Sequence, residues 1–133
     1  MGDLGNYAWK FNANSQSLKD FDAVLRAIRE KKIFDSKEDN SVKKLLKVVV
    51  PISESIKGNL TESIVINERN IVDIMKSKHS GEWPQYRERL LNLESKLKME
   101  RVVFSQNDLQ LLNDIADALD AECANLFKRM NER

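Results

Sequence analysis

From Leu109 to Met130 the apolar positions return at alternating steps of three and four: Leu109, Leu112, Ala116, Leu119, Cys123, Leu126, Met130. This is a heptad seam over three repeats, and it predicts a helix over 105–131. Leu111, Ile115, Ala118 and Phe127 flank the seam and make the stripe wider than a two-stranded coiled coil needs. A wide stripe belongs to a helix that touches several neighbours in a bundle. Ala116 and Cys123 are small enough to admit one of them closely. Ser105, with Asp108 three residues later, supplies the helix start.

The same three-and-four step runs through the rest of the chain. Leu18, Phe21, Val24, Leu25 and Ile28 share one face, and Ser17 with Asp20 resembles a helix start, so a helix is predicted over 15–34. The polar run 35–41 is rich in capping and turn residues. Val42, Leu45, Leu46, Val49, Ile52 and Ile56 then predict a helix over 41–57, with Gly58 as its cap. A conflict sits inside it: Val48, Val49 and Val50 are β-branched, and Pro51 follows. An alternative pairs 47–52 with 62–66 as strands, but an isolated pair is marginal in water. A helix kinked or restarted at Pro51 is the preferred reading. Ile64, Ile71 and Met75 lie on one face, widened by Val65, Val72 and Ile74, and predict a helix over 61–79. Tyr86, Leu90, Leu93 and Leu97 predict another over 84–101.

The first fourteen residues break this rhythm. Tyr7, Trp9 and Phe11 alternate, which places three aromatics on one side of an extended segment. Such a segment either packs as a strap across a groove between helices or docks as an arm on another molecule. The strap is the preferred reading.

Residues 77–86, SKHSGEWPQY, hold the single histidine, one of two tryptophans and one of two prolines. Gly81 suits a helix end and Pro84 a first helical turn. The segment reads as a corner between two helices, with His79 in the last turn of one and Trp83 at the mouth of the next.

Composition narrows the class. The chain has 133 residues with 4 glycines and 2 prolines, too few turn-formers for a sandwich or barrel. The longest apolar run, 48–52, is far too short to span a membrane. The N-terminus lacks the pattern of a secretory signal, and the lone Cys123 allows no intrachain disulfide, so a cytoplasmic location is expected. Charge is uneven: residues 105–133 carry 3 Lys/Arg against 6 Asp/Glu, while residues 1–104 carry 19 against 15. Such small excesses suit two parts that pack against and partly neutralise each other.

Candidate chemistry is sparse. His79 has no second histidine or nearby cysteine to share a metal, and a base role would need a carboxylate brought in by folding, such as Glu82. Asp114 and Asp117 are expected to point away from the leucine seam, with Asp120 at its flank, as a solvated face. Arg26, Arg29, Lys31, Lys32, Lys43, Lys44 and Lys47 form a locally basic region, interrupted by Glu30, Asp35, Glu38 and Asp39. Cys123, on the apolar seam, is expected to act as a small hydrophobe. There is no phosphate-cradling glycine loop, serine elbow or CxxC pair.

The sequence thus predicts an all-α domain: residues 1–14 as an extended N-terminal segment, then one bundle of four or five helices over 15–133, with the last helix central. The leading functional expectation is a non-enzymatic protein–protein interaction or regulatory module without metal or cofactor, able to form a homo-oligomer. Its partner contacts would be Trp9, Phe11, Trp83 and Tyr86, because aromatics dominate interface energies. The alternative is a nucleic-acid-binding protein using the basic 26–47 region. An enzyme centred on His79 is the third.

Overall fold

The computed structural model describes the backbone of residues 2–58 and 65–131, and the side chains of residues 11–58 and 69–131. Five helices and one small sheet follow in the order α1 (Gly2–Lys31), β1 (Ile33–Asp35), α2 (Asn40–Lys57), α3 (Val65–Lys78), α4 (Trp83–Leu97), β2 (Arg101–Val103) and α5 (Gln106–Asn131). The expected all-α bundle is present. α5 lies against α1, α3 and α4, while α2 lies against α1, α3 and α4 from the other side. Phe11 meets Phe127, Ser15 meets Cys123, and Arg29 meets Asn113, so α1 and α5 run antiparallel.

The seam of α5 is the floor of the core. Leu112, Ile115, Leu119 and Leu126 are sealed from solvent, and Phe21, Ile28, Leu45, Ile52, Met75, Leu90 and Leu93 close over them. Burying side chains of this size stabilises by roughly 1.5–3 kcal/mol each, before the entropy cost. The start of α5 is the reciprocal box expected from Ser105 and Asp108. The Asp108 amide donates to Ser105 Oγ at 3.2 Å, and the Ser105 amide donates to Asp108 Oδ2 at 2.9 Å. The same Asp108 carboxylate holds Lys96 of α4.

Pro51 sits inside α2 without ending it, so residues 47–52 are helical and the strand alternative for them is removed. Val42, Leu45, Val49 and Ile52 bury one continuous face, and that burial outweighs the single hydrogen bond lost at the proline. Asp39 caps the start, accepting from the Ser41 amide at 2.8 Å. Gly58 ends α2 in the left-handed region with φ +81°, its amide donating to the Ser55 carbonyl at 3.2 Å.

Three expectations are corrected. The backbone of residues 2–14 is helical, not extended, and Ser17 lies within α1 rather than opening it. No proline interrupts this stretch, and each residue added to an existing helix gains a backbone hydrogen bond. Phe11, Ser15 and Leu18 also lie at helical spacing and all line the same hollow against α5. The alternation of Tyr7, Trp9 and Phe11 therefore does not mark a strand. How Tyr7 and Trp9 pack falls outside the described side chains. Second, the predicted helices 15–34 and 84–101 both end early, at Lys31 and Leu97. β1 and β2 straddle the predicted ends at 34 and 101 and form an antiparallel pair with Phe34 opposite Val102. Both of those side chains are buried while Ile33 and Val103 face outward, so the pair is stabilised by the core on one side. Phe104 meets Phe34 edge-on at 5.6 Å. Third, Asp114 does not belong to a solvated face.

Candidate interaction surfaces and the buried histidine

The corner between α3 and α4 delivers His79 into the protein. Its amide is tied to the Met75 carbonyl at 3.0 Å, and its carbonyl accepts from the Glu82 amide at 2.9 Å. The imidazole stacks on the Tyr86 ring, with centroids 3.9 Å apart and planes 16° off parallel. On α5, Asp114 Oδ2 lies 3.5 Å from His79 Nε2, and both side chains are largely buried, at 14% and 12% exposure. Neither of these atoms has a hydrogen-bond partner. Burial pushes the Tyr86 phenol up from its ordinary value, and the Asp114 carboxylate adds to the shift.

The carboxylate brought to His79 is thus Asp114 and not Glu82. Asp114 lies off the leucine seam, but α5 is covered by the α3–α4 corner as well as by α1, so a position off the seam is still enclosed. Asp117 behaves as expected: it is exposed and pairs with Lys78 at 3.3 Å. His79 Nε2 is turned inward against Asp114. The cluster therefore links the corner to α5 and offers no open approach to that nitrogen.

Two further carboxylates are buried. Burial pushes Glu94 up, but hydrogen bonds from Lys98 at 2.8 Å and from Lys57 at 3.3 Å outweigh it and hold the carboxyl below its ordinary value. Glu122 is 1% exposed and goes the other way. Burial raises it, opposed more weakly by Asn70, which donates at 3.1 Å, and by the charge of Arg129. Its second oxygen has no partner. Cys123 beside it is buried, and burial likewise raises the thiol, as suits a packing residue.

The proposed aromatic contacts do not form one patch. Phe11 is half-buried on the α1–α5 face, 5.7 Å from the Phe127 ring. Trp83 is half-buried at the α3–α4 corner with the Lys76 ammonium over its ring at 5.6 Å. Tyr86 is buried under His79 and presents no surface. Trp9 lies outside the described side chains. Sequence reasoning missed Phe127 as a surface residue: it flanks the seam at helical spacing, yet 54% of it is exposed. Its place near the end of α5, past Leu126, was the available signal.

All seven basic candidates are exposed, divided between the end of α1 with its turn and the first half of α2. Arg29 donates to Asn113 at 3.0 Å, and Lys31 pairs with Asp39 at 3.3 Å. Arg29 and Lys32 border a hollow of about 550 Å³ beside the start of α5, among Gln106, Asn107 and Gln110. Among the described residues no group of three or more His, Cys, Asp or Glu is placed to hold a metal. No described helix is long and apolar enough to cross a membrane. Comparison with protein-family models, with curated proteins and with solved structures gives no match.

Proposed function

We propose that this chain is a non-enzymatic protein–protein interaction module of the cytoplasm, and that its first partner is a second copy of itself. The observation that carries this reading is the hollow of about 350 Å³ between α1 and α5. It is formed by Phe11, Leu18, Cys123, Ala124 and the exposed Phe127. A large aromatic held half in solvent over an apolar floor costs hydration that a partner would recover.

The rim supplies the choice of partner. Lys19 stands on the α1 side and Asp120 on the α5 side. A two-fold axis through the hollow sets each copy's Lys19 against the other's Asp120, the self-complementarity that a symmetric dimer requires. Sedimentation equilibrium tests it. The wild type dimerises and Phe127→Asp is monomeric with its thermal midpoint kept. Lys19→Asp weakens the dimer, and adding Asp120→Lys restores it. A wild type that stays monomeric at high concentration refutes self-association. An unchanged set of bound proteins in Phe127→Asp would then refute the surface altogether.

A second reading, nucleic-acid binding through Arg26, Arg29, Lys31, Lys32, Lys43, Lys44 and Lys47, is supported by the exposure of all seven. It requires retention on duplex or single strands that weakens steeply with salt, and it fails if none is retained at low ionic strength.

A further inference from the structure

A second concavity lies away from the α1–α5 hollow, where the end of α2 meets α3 and the start of α4. It encloses about 390 Å³. That falls within the range of small-molecule sites, roughly 300–1,000 Å³. Arg69 and Lys76 reach it from α3, and Arg87 from α4; the only carboxylate among its described lining residues is Asp73. Arg69 and Arg87 are exposed and have no ion pair among the described residues. On the same helices Lys57 and Lys98 bind Glu94 and Lys78 binds Asp117, while Lys43, Lys44, Lys47 and Arg89 share with Arg69 and Arg87 the lack of an ion pair among the described residues. The apolar part of the lining is the half-buried Trp83 indole with the half-buried Ile56 and the buried Val72.

We propose that this concavity binds a phosphate monoester joined through a sugar to a flat base, the chemistry of a mononucleotide. Among the described lining residues, three cations against one carboxylate leave an excess of two positive charges, which matches a phosphate monoester of about −1.5 to −2 at neutral pH. Arginine offers forked donors that suit phosphate oxygens, and two arginines approach from different helices. The indole and Val72 give the ring an apolar wall, and Lys76, now over the indole, is long enough to turn to the phosphate. Neither half suffices alone. A bare phosphate leaves the wall in water, and an uncharged ring leaves the cations in mutual repulsion. The site is independent of the dimer hollow, so the two proposals stand or fall separately.

The test is an NMR titration of the full chain, reading the Trp83 indole N–H, which is assigned by its loss in Trp83→Phe. The probes are AMP, adenosine, inorganic phosphate and a single-stranded oligonucleotide without terminal phosphate. AMP shifts the signal saturably with Kd below about 1 mM. Adenosine and inorganic phosphate each bind at least about tenfold more weakly, having lost one of the two contacts. Arg69→Gln and Arg87→Gln each weaken AMP about tenfold. Asp73→Asn tightens it, and neither arginine change moves the thermal midpoint. The proposal is overturned if AMP does not saturate, if inorganic phosphate binds as tightly as AMP, or if the arginine variants bind like wild type. Tighter binding of the oligonucleotide than of AMP also overturns it and assigns the concavity to nucleic acid.

Discussion

Replacing Glu122 by glutamine should make the protein more stable, and by an amount that depends on pH. The carboxylate is 1% exposed. One oxygen accepts from Asn70 and the other has no partner. A buried polar group left unsatisfied costs about 1–3 kcal/mol, and more when it is charged. The Asn70 bond and the Arg129 charge return part of that. Glutamine keeps the shape and the bond to Asn70 while removing the charge, but it leaves an amide donor in place of the bare oxygen. The net gain expected at neutral pH is therefore about 1 kcal/mol, the low end of that cost. The sign with pH follows from linkage. Burial raises the folded carboxyl above its ordinary 4.5. Below the unfolded value both states are protonated and the wild type carries no penalty; the penalty grows as pH rises from the unfolded value to the folded one and is constant above it. Urea unfolding of both proteins from pH 3.5 to 8 measures it. The curves should meet at the acid end and separate towards neutral pH. A constant offset, or a glutamine variant that is less stable at pH 7, would refute the argument.

Glu94 should give the opposite profile. Its folded value is depressed, so its contribution is present above the ordinary 4.5 and is lost as pH falls through the folded value. Glu94→Gln is expected to lose about 1–2 kcal/mol at neutral pH, with the difference closing in acid, read by the same unfolding series. Phe34→Ala empties a side chain that is 2% exposed. It should cost about 3–5 kcal/mol, seen as a fall of order 10 °C in the thermal midpoint. At Gly58 an added Cβ meets nothing within 4 Å, so Gly58→Ala tests backbone strain alone. It should destabilise by about 1 kcal/mol, measured by chemical unfolding.

The parts of the fold that could be read from sequence are those where burial follows a helical period. Leu109 to Leu126 repeat at three and four because α5 buries that face, and the Ser105–Asp108 box and Gly58 mark helix ends through their own local chemistry. β1 and β2 were hidden because three residues are too few to establish an alternation, and because Phe34 and Val102 become meaningful only when paired. The N-terminal helix was hidden by chance: three aromatics at steps of two imitate a strand, while the contact that fixes Phe11 comes from Phe127, distant in sequence. The same reason separates the site residues. His79 was visible as an unusual residue, but Asp114 reaches it only through the tertiary fold. The lining of the Trp83 concavity comes from three helices, and no local spacing announces it.

The short sheet has one more implication. It joins residues 33–35 to 101–103, beside the last turn of α1 and the first turn of α5. Those two long helices are thereby stitched at one end, and Phe11 with Phe127 marks the other. Any parting of the pair must work like tweezers, with the stitched end as pivot and the aromatic tips as jaws. Amide exchange should then slow progressively from the tips towards the pivot.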